Sequence, residues 1–235
     1  MLAVFNSAVA EGPEELKTPG DLSPTPRKKA ADLLQSFMSD FPQAISVNVE
    51  GVCHMAYTHE REALLRPRSF AVKDEIFCLF EGTLENLTSL RQQYGLSKSV
   101  NEVSLVIEAY KTLRDRKPYP ASHVVGHFEG RFAFIILDKT TKSIFAATDS
   151  HGKVPFYWGI TADGYLAFSD DADLLKGACG KSIASFPQGC LFLGSEGLRS
   201  YEHPKNKVTA VPAMEEEMWG TTFKVEREGV YAGII

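Results

Sequence analysis

The sequence predicts an α+β fold organised around a sandwich of two antiparallel sheets, and two observations carry that expectation. The first is the stretch from His127 to Gly159. It holds two runs rich in β-branched and aromatic residues, FAFIIL (132–137) and SIFAAT (143–148), joined by the polar DKTTK (138–142). Apolar runs of this length bounded by turn residues read as buried strands, and a five-residue polar joint suits a hairpin. A third strand, PFYWGI, follows a sharp turn marked by Asp149, Gly152 and Pro155. One hairpin cannot bury both of its apolar faces, so a second sheet must cover it. The second observation is helical periodicity elsewhere. Ala30, Leu33, Leu34, Phe37 and Met38 recur at three- and four-residue spacing over 30–41, and Val103, Val106, Ile107, Tyr110 and Leu113 do so over 100–115. Each set is one apolar stripe of an amphipathic helix.

The remaining elements follow in chain order. Residues 2–9 read as a short first strand. Residues 11–30 hold four prolines and two glycines, the composition of an exposed loop. Ser23-Pro24 and Thr25-Pro26, followed by Arg27-Lys28-Lys29, resemble proline-directed phosphorylation sites, although a plain loop is the favoured reading. Pro42 stops the helix that starts at Ala30. AISVNVEG and VCHMAYTHE (44–60) are strands, REALLRPRS (61–69) is a basic loop, and FAVKDEIFCLFEG (70–82) is a hairpin turning at Lys73-Asp74. NLTSLRQQYG (86–95) is helical, with Asn86 as N-cap and Gly95 as stop. The tail ends in a strand-like extension, 221–235.

The totals exclude several classes. A length of 235 residues is compatible with a single domain, 1–235, with a large core, and 44% hydrophobic with 23% charged residues is ordinary for a globular protein. A formal net charge of −5 argues against nucleic acid as a partner. No run approaches the ~20 apolar residues of a membrane span, and the N-terminus lacks the basic flank of a signal peptide. Cys53, Cys78, Cys179 and Cys190 sit singly in apolar surroundings and read as reduced, buried thiols of a cytoplasmic protein. His54, His123, His127, His151 and His203 have no Cys or carboxylate partner at ligand spacing, so neither a metal nor a cofactor is expected.

The order G-x-F-A-F-x-x-x-D, a strand, then D-x-x-G-x-x-P-x-Y-x-G resembles the glutaminase domain of class II glutamine amidotransferases, above all the amino-terminal half of asparagine synthetase. The resemblance continues through FSDDADLL (168–175), SFPQGCLFL (185–193) and RSYEH (199–203). It implies a four-layer α/β/β/α Ntn-hydrolase-like sandwich. A narrower likeness lies in Tyr94-Gly95-Leu96 and Leu113-Arg114-Asp115-Arg116, which look like the YGL and LRDR signatures of the plant aluminium-induced and stem-specific proteins. The chain is identified as a member of that family. A C-terminal extension, about 205–235, falls outside the glutaminase pattern.

The same resemblance defines a pocket and what it lacks. In the family the nucleophile is an N-terminal cysteine exposed by loss of methionine, and its own amine is the base. Here Leu2 stands in that place, so no catalytic residue is expected. Arg61, in His59-Glu60-Arg61, matches the arginine that grips the substrate carboxylate. Glu81-Gly82-Thr83 replaces the family's N-G-E. Gly82 keeps an oxyanion-hole amide, Glu81 puts a carboxylate where an asparagine donates, and Thr83 replaces an acid. For Glu81 itself a solvated strand end is the favoured reading. A second acid falls near Glu102, with Asn101 the adjacent alternative. Asp149 and Gly152 read as turn formers, and Arg114-Asp115-Arg116 as a helix end whose cations suit its C-terminus.

The expectation is therefore a catalytically inactive glutaminase-like protein, a stress- or hormone-responsive plant factor of cytoplasm and nucleus. It would act through a homodimer, another protein partner or a small amino-acid-like ligand. The alternative is an active amidohydrolase with a non-standard nucleophile, for which Ser7 and Cys53 are the candidates near the first strands.

Overall fold

The computed structural model describes residues 1–17, 26–60, 64, 66–116, 120–214 and 219–227. The elements are, in order, β1 (Leu2–Phe5), α1 (Glu14–Lys17), α2 (Ala30–Asp40), β2 (Ile45–Val49), β3 (Cys53–Tyr57), β4 (Arg68–Lys73), β5 (Ile76–Leu84), α3 (Leu87–Gln93), α4 (Glu102–Asp115) and α5 (Ala121–Val125). They continue with β6 (Gly130–Asp138), β7 (Ser143–Thr148), β8 (Tyr157–Ile160), β9 (Leu166–Ser169), α6 (Ala172–Cys179), β10 (Ile183–Ser185), β11 (Cys190–Leu193), β12 (Gly197–Ser200), β13 (Lys207–Pro212) and β14 (Thr221–Glu226).

The strands form two six-stranded antiparallel sheets, ordered β10-β8-β9-β1-β3-β2 and β12-β11-β7-β6-β5-β4. Strand alternation sorts the side chains into layers. On β6, Ala133, Ile135 and Leu137 face the other sheet, while Phe132, Phe134 and Ile136 face α4 and α5. On β1, Ala3 and Phe5 face between the sheets, while Leu2 and Val4 face α2 and α6. The result is the expected four-layer α/β/β/α order, with the 132–148 hairpin in the middle of its sheet. Between the sheets Trp158 is packed by Phe168, Phe186 and Phe192, at ring-centroid separations of 6.0, 5.0 and 5.4 Å.

Several local expectations are corrected. The first strand ends at Phe5, because the chain turns at Asn6, whose Oδ1 accepts from the Ala8 amide at 2.9 Å. The loop expected over 11–30 is not wholly exposed: α1 buries Leu16 completely. The β4–β5 turn falls on Asp74-Glu75, with φ of 52° and 60°, one residue beyond Lys73-Asp74. The extension holds a third, two-stranded sheet, β13-β14, whose Phe223 and Val225 pack on the inter-sheet core. Ser23, Thr25 and residues 228–235 lie outside the described residues.

The two short signatures bracket α4. Gly95, at φ +66°, turns the chain after α3, and Tyr94 and Leu96 pack against the core that α4 covers. At the other end Arg114 does more than face the helix terminus. It donates to Asp138 at 3.2 Å and to Asp115 at 2.7 Å, while Tyr110 also donates to Asp138 at 3.2 Å. Asp138 is fully buried and caps the β6–β7 turn by accepting from the amides of Thr140 and Thr141. Asp149 is the turn former expected: its carboxylate accepts from the amides of Phe132, His151 and Lys153.

Candidate functional site

Two strand registers bring a set of charges to one end of the sandwich. β1 lies between β3 and β9, with Leu2 opposite both Ala56 and Ser169, which carries Met1 to the level of Asp170. Ser169 Oγ donates to the Met1 carbonyl at 2.9 Å, and the Met1 amine is ion-paired with Asp170. In the other sheet the β4–β5 register sets Arg68 opposite Glu81. Arg68 Nε donates to Glu81 Oε2 at 2.9 Å, one terminal nitrogen pairs with Asp170, and the other donates to the carbonyl of Thr58 at 3.0 Å. Met1, Asp170, Arg68 and Glu81 therefore form one chain of alternating charge that crosses between the sheets. A cavity of about 290 Å³ adjoins it, walled by Met1, Thr58, Arg68, Asp170, Phe37 and Tyr157 among others.

The electrostatics follow from burial and partners. Burial lowers the pKa of the Met1 amine, although Asp170 opposes the shift. Burial would push the Asp170 carboxyl up, but the Met1 amine and Arg68 outweigh it and hold it below its ordinary value. Burial, with help from the Asp170 charge, pushes Glu81 up against the pull of Arg68.

The residues expected to form a pocket fall as follows. Arg61 lies outside the described residues. Leu2 is fully buried and faces α2 and α6, among Leu33, Phe37 and Ala56, so Met1 is the residue at the cavity. Glu81 is not a solvated strand end: it is 2% exposed, projects between the sheets and is neutralised by Arg68, with Arg66 at 3.9 Å. Gly82 sits at φ +121°, where an added Cβ would meet the Arg131 carbonyl oxygen at 2.0 Å. Its amide donates to the Pro67 carbonyl at 2.9 Å. Thr83 stands opposite Arg131 on β5. Glu102 begins α4, on the outer side of that sheet, behind the N-cap Asn101. Of the six, Glu81 belongs to the charge chain, Gly82 adjoins it, and Glu102 is on the other side of the sheet.

Sequence reasoning missed Met1, Arg68 and Asp170. The FSDDADLL resemblance contains Asp170, but no motif gives it a partner, because Met1 and Arg68 meet it only through sheet pairing. Neither candidate alternative nucleophile lines the cavity at Met1. Ser7 is exposed in the turn after β1, and burial pushes the Cys53 thiol up to about 12. Among the described residues no group of three or more His, Cys, Asp and Glu could hold a metal ion, and no helix is long and apolar enough to cross a membrane.

The chain is 38% identical over 148 residues to the stem-specific protein TSJT1 of Nicotiana tabacum, a match spanning 63% of this chain and 99% of that one. It is 25% identical over 201 residues to asparagine synthetase [glutamine-hydrolyzing] 2 of Oryza sativa subsp. japonica, covering 82% of this chain but 32% of the synthetase. The chain thus spans about a third of that enzyme's length. Among solved structures, a glutamine aminotransferase class-II domain protein from Silicibacter pomeroyi aligns at a TM-score of 0.45 with 12% identity, covering 84% of this chain and 96% of that one. Glutamine phosphoribosylpyrophosphate amidotransferase from B. subtilis aligns at 0.43 with 16% identity, covering 66% and 35%. The family model described as aluminium induced protein matches residues 2–225, and the chain belongs to the aluminium-induced protein family.

Proposed function

We propose that this chain is a glutaminase-like protein that does not hydrolyse glutamine and acts by binding, as a stress- or hormone-responsive plant factor of cytoplasm and nucleus. The observation that carries the reading is the charge chain Met1–Asp170–Arg68–Glu81. The groups at that end of the sandwich, where a class II glutaminase would hold its nucleophile and substrate, are engaged with one another. The Gly82 amide, which such an enzyme would offer to an oxyanion, is bonded to Pro67. Leu2 offers no nucleophile. What passes to this chain from the glutamine-hydrolyzing relatives is a frame. Its use is to bind a small amino-acid-like molecule beside Tyr157 and Phe37, or to present the sandwich to a partner, including a second copy.

The test combines intact mass with thermal shift. Retained Met1 and a melting temperature raised by one or more amino acids, glutamine and asparagine among them, are the expected results. Covalent labelling of the unmodified chain by a diazo-ketone glutamine analogue would show a working nucleophile and overturn the reading.

A further inference from the structure

We propose that the cleft between the β13–β14 extension and the sandwich is a second binding site, one that takes a small planar aromatic anion. The cleft is distinct from the cavity at Met1 and larger, about 740 Å³. That volume lies within the roughly 300–1,000 Å³ typical of small-molecule sites. One wall is β14 with Trp219 ahead of it, and the other is the segment that turns into β8 together with residues 185–188. The cleft therefore exists only because the extension packs on the sandwich, and that extension is the part of the chain without a counterpart in the glutaminase sequence pattern.

Its lining combines aromatic side chains on both walls with two cationic side chains on the β14 wall. Trp219 stacks on Tyr157 with ring centroids 5.4 Å apart and planes 14° from parallel, and is itself half-buried. Phe156 and Phe186, tilted together at 5.0 Å, form the floor. Such surfaces favour a flat ring over an aliphatic chain, because offset stacking adds to simple burial. Lys224 and Arg227 line the same cleft, and none of its described lining residues is Asp or Glu. Arg227 is held in place by Glu202 at 3.3 Å. An aromatic ring packed against the Trp219–Tyr157 pair, with an anionic group toward the two cations, satisfies both sets of residues. Pro155 and Tyr157 also wall the Met1 cavity, so the two sites share a partition.

The test uses the full chain and three probes of one shape: 1-naphthoate, 1-naphthylmethanol and 1-naphthylmethylammonium. Affinities are measured by equilibrium dialysis. Naphthoate is expected to bind saturably at one site per chain, and the ammonium probe about tenfold more weakly or less. Lys224→Gln with Arg227→Gln, both at exposed positions, should weaken naphthoate by about tenfold and leave the neutral alcohol unchanged. Trp219→Ala should weaken all three probes, with Trp219→Phe restoring most of the affinity. Non-saturable naphthoate binding, equal or tighter binding of the ammonium probe, or unaltered affinities in the double Gln variant or in Trp219→Ala would each overturn the proposal. This outcome is independent of whether the Met1 end hydrolyses glutamine.

Discussion

Arg68 and Glu81 face each other across the β4–β5 hairpin, Nε to Oε2 at 2.9 Å, with Glu81 almost completely buried. Arg68 is also the link to Asp170 in the opposite sheet. One guanidinium thus neutralises two carboxylates and ties two sheets. Removing one member of such a set leaves uncompensated buried charge, which costs far more than the intact set contributes.

Arg68→Ala should therefore destabilise by about 3–5 kcal/mol. Glu81→Gln keeps an acceptor for Arg68 and removes a charge that burial disfavours, so it should change stability by less than about 1 kcal/mol at neutral pH. Urea unfolding measures both. Equal losses in the two variants would show that Arg68 does not serve two partners.

The pH dependence has a sign set by each shift. Glu81 is raised above its ordinary 4.5, so its contribution is full below 4.5 and is lost as pH rises through the raised value. Asp170 is held below its ordinary 3.8, so its contribution is present above 3.8 and is lost as pH falls through the lowered value. The Met1 amine is lowered from 8.0, so the unfolded chain binds its proton more readily and stability rises as pH climbs toward 8.0. Relative to the parent, Glu81→Gln should gain stability as pH rises from 4.5 through the raised value. A difference between the two proteins that stays constant over that range would contradict the assignment to Glu81.

Much of the fold was legible because its signal is local. The 132–148 hairpin, α2 and α4 follow from runs and periodicities that tertiary packing did not override. The site was not legible, because it depends on register. A turn at Lys73-Asp74 sets Arg68 opposite Leu79, whereas the observed turn at Asp74-Glu75 sets it opposite Glu81. A one-residue shift in the turn moves the partner by two. The φ > 0 pair at Asp74-Glu75 carries no glycine or asparagine to announce it. Leu16 was missed for a different reason: one buried leucine in a proline-rich stretch has no periodicity.

The LRDR signature makes a structural prediction. Arg114→Ala leaves Asp138 buried with Tyr110 and two amides as its remaining donors, so the cost should be about 1–3 kcal/mol. Hydrogen exchange should rise at the β6–β7 turn and at the end of α4 together. Loosening of α4 alone would mean that Arg114 acts only at the helix terminus.

Gly82 supplies a steric prediction. With φ at +121° and the Arg131 carbonyl oxygen 2.0 Å from a built Cβ, Gly82→Ala should cost about 3 kcal/mol or more. A melting temperature matching the parent would show that β5 and β6 are spaced differently there.

Installing the missing nucleophile probes the frame. Leu2→Cys with methionine removed frees the amine at residue 2, but the side chain there faces α2 and α6, so a diazo-ketone glutamine analogue should label it slowly and glutamine should turn over poorly. Losing one oxyanion donor alone costs ~10²–10³ in rate, and Glu81 adds negative charge besides. Adding Glu81→Asn and Thr83→Glu should raise turnover. An exposed, unlabelled thiol in the triple variant would mean that residue 2 does not sit at a glutamine pocket.

The Met1 end is proposed to be held by the chain's own charges and to do no hydrolysis. Ammonia release from glutamine by the purified chain, with Met1 verified by intact mass, tests it most directly. The expected result is a rate equal to buffer at every protein concentration. Release that rises in proportion to protein and disappears in Asp170→Asn would contradict it.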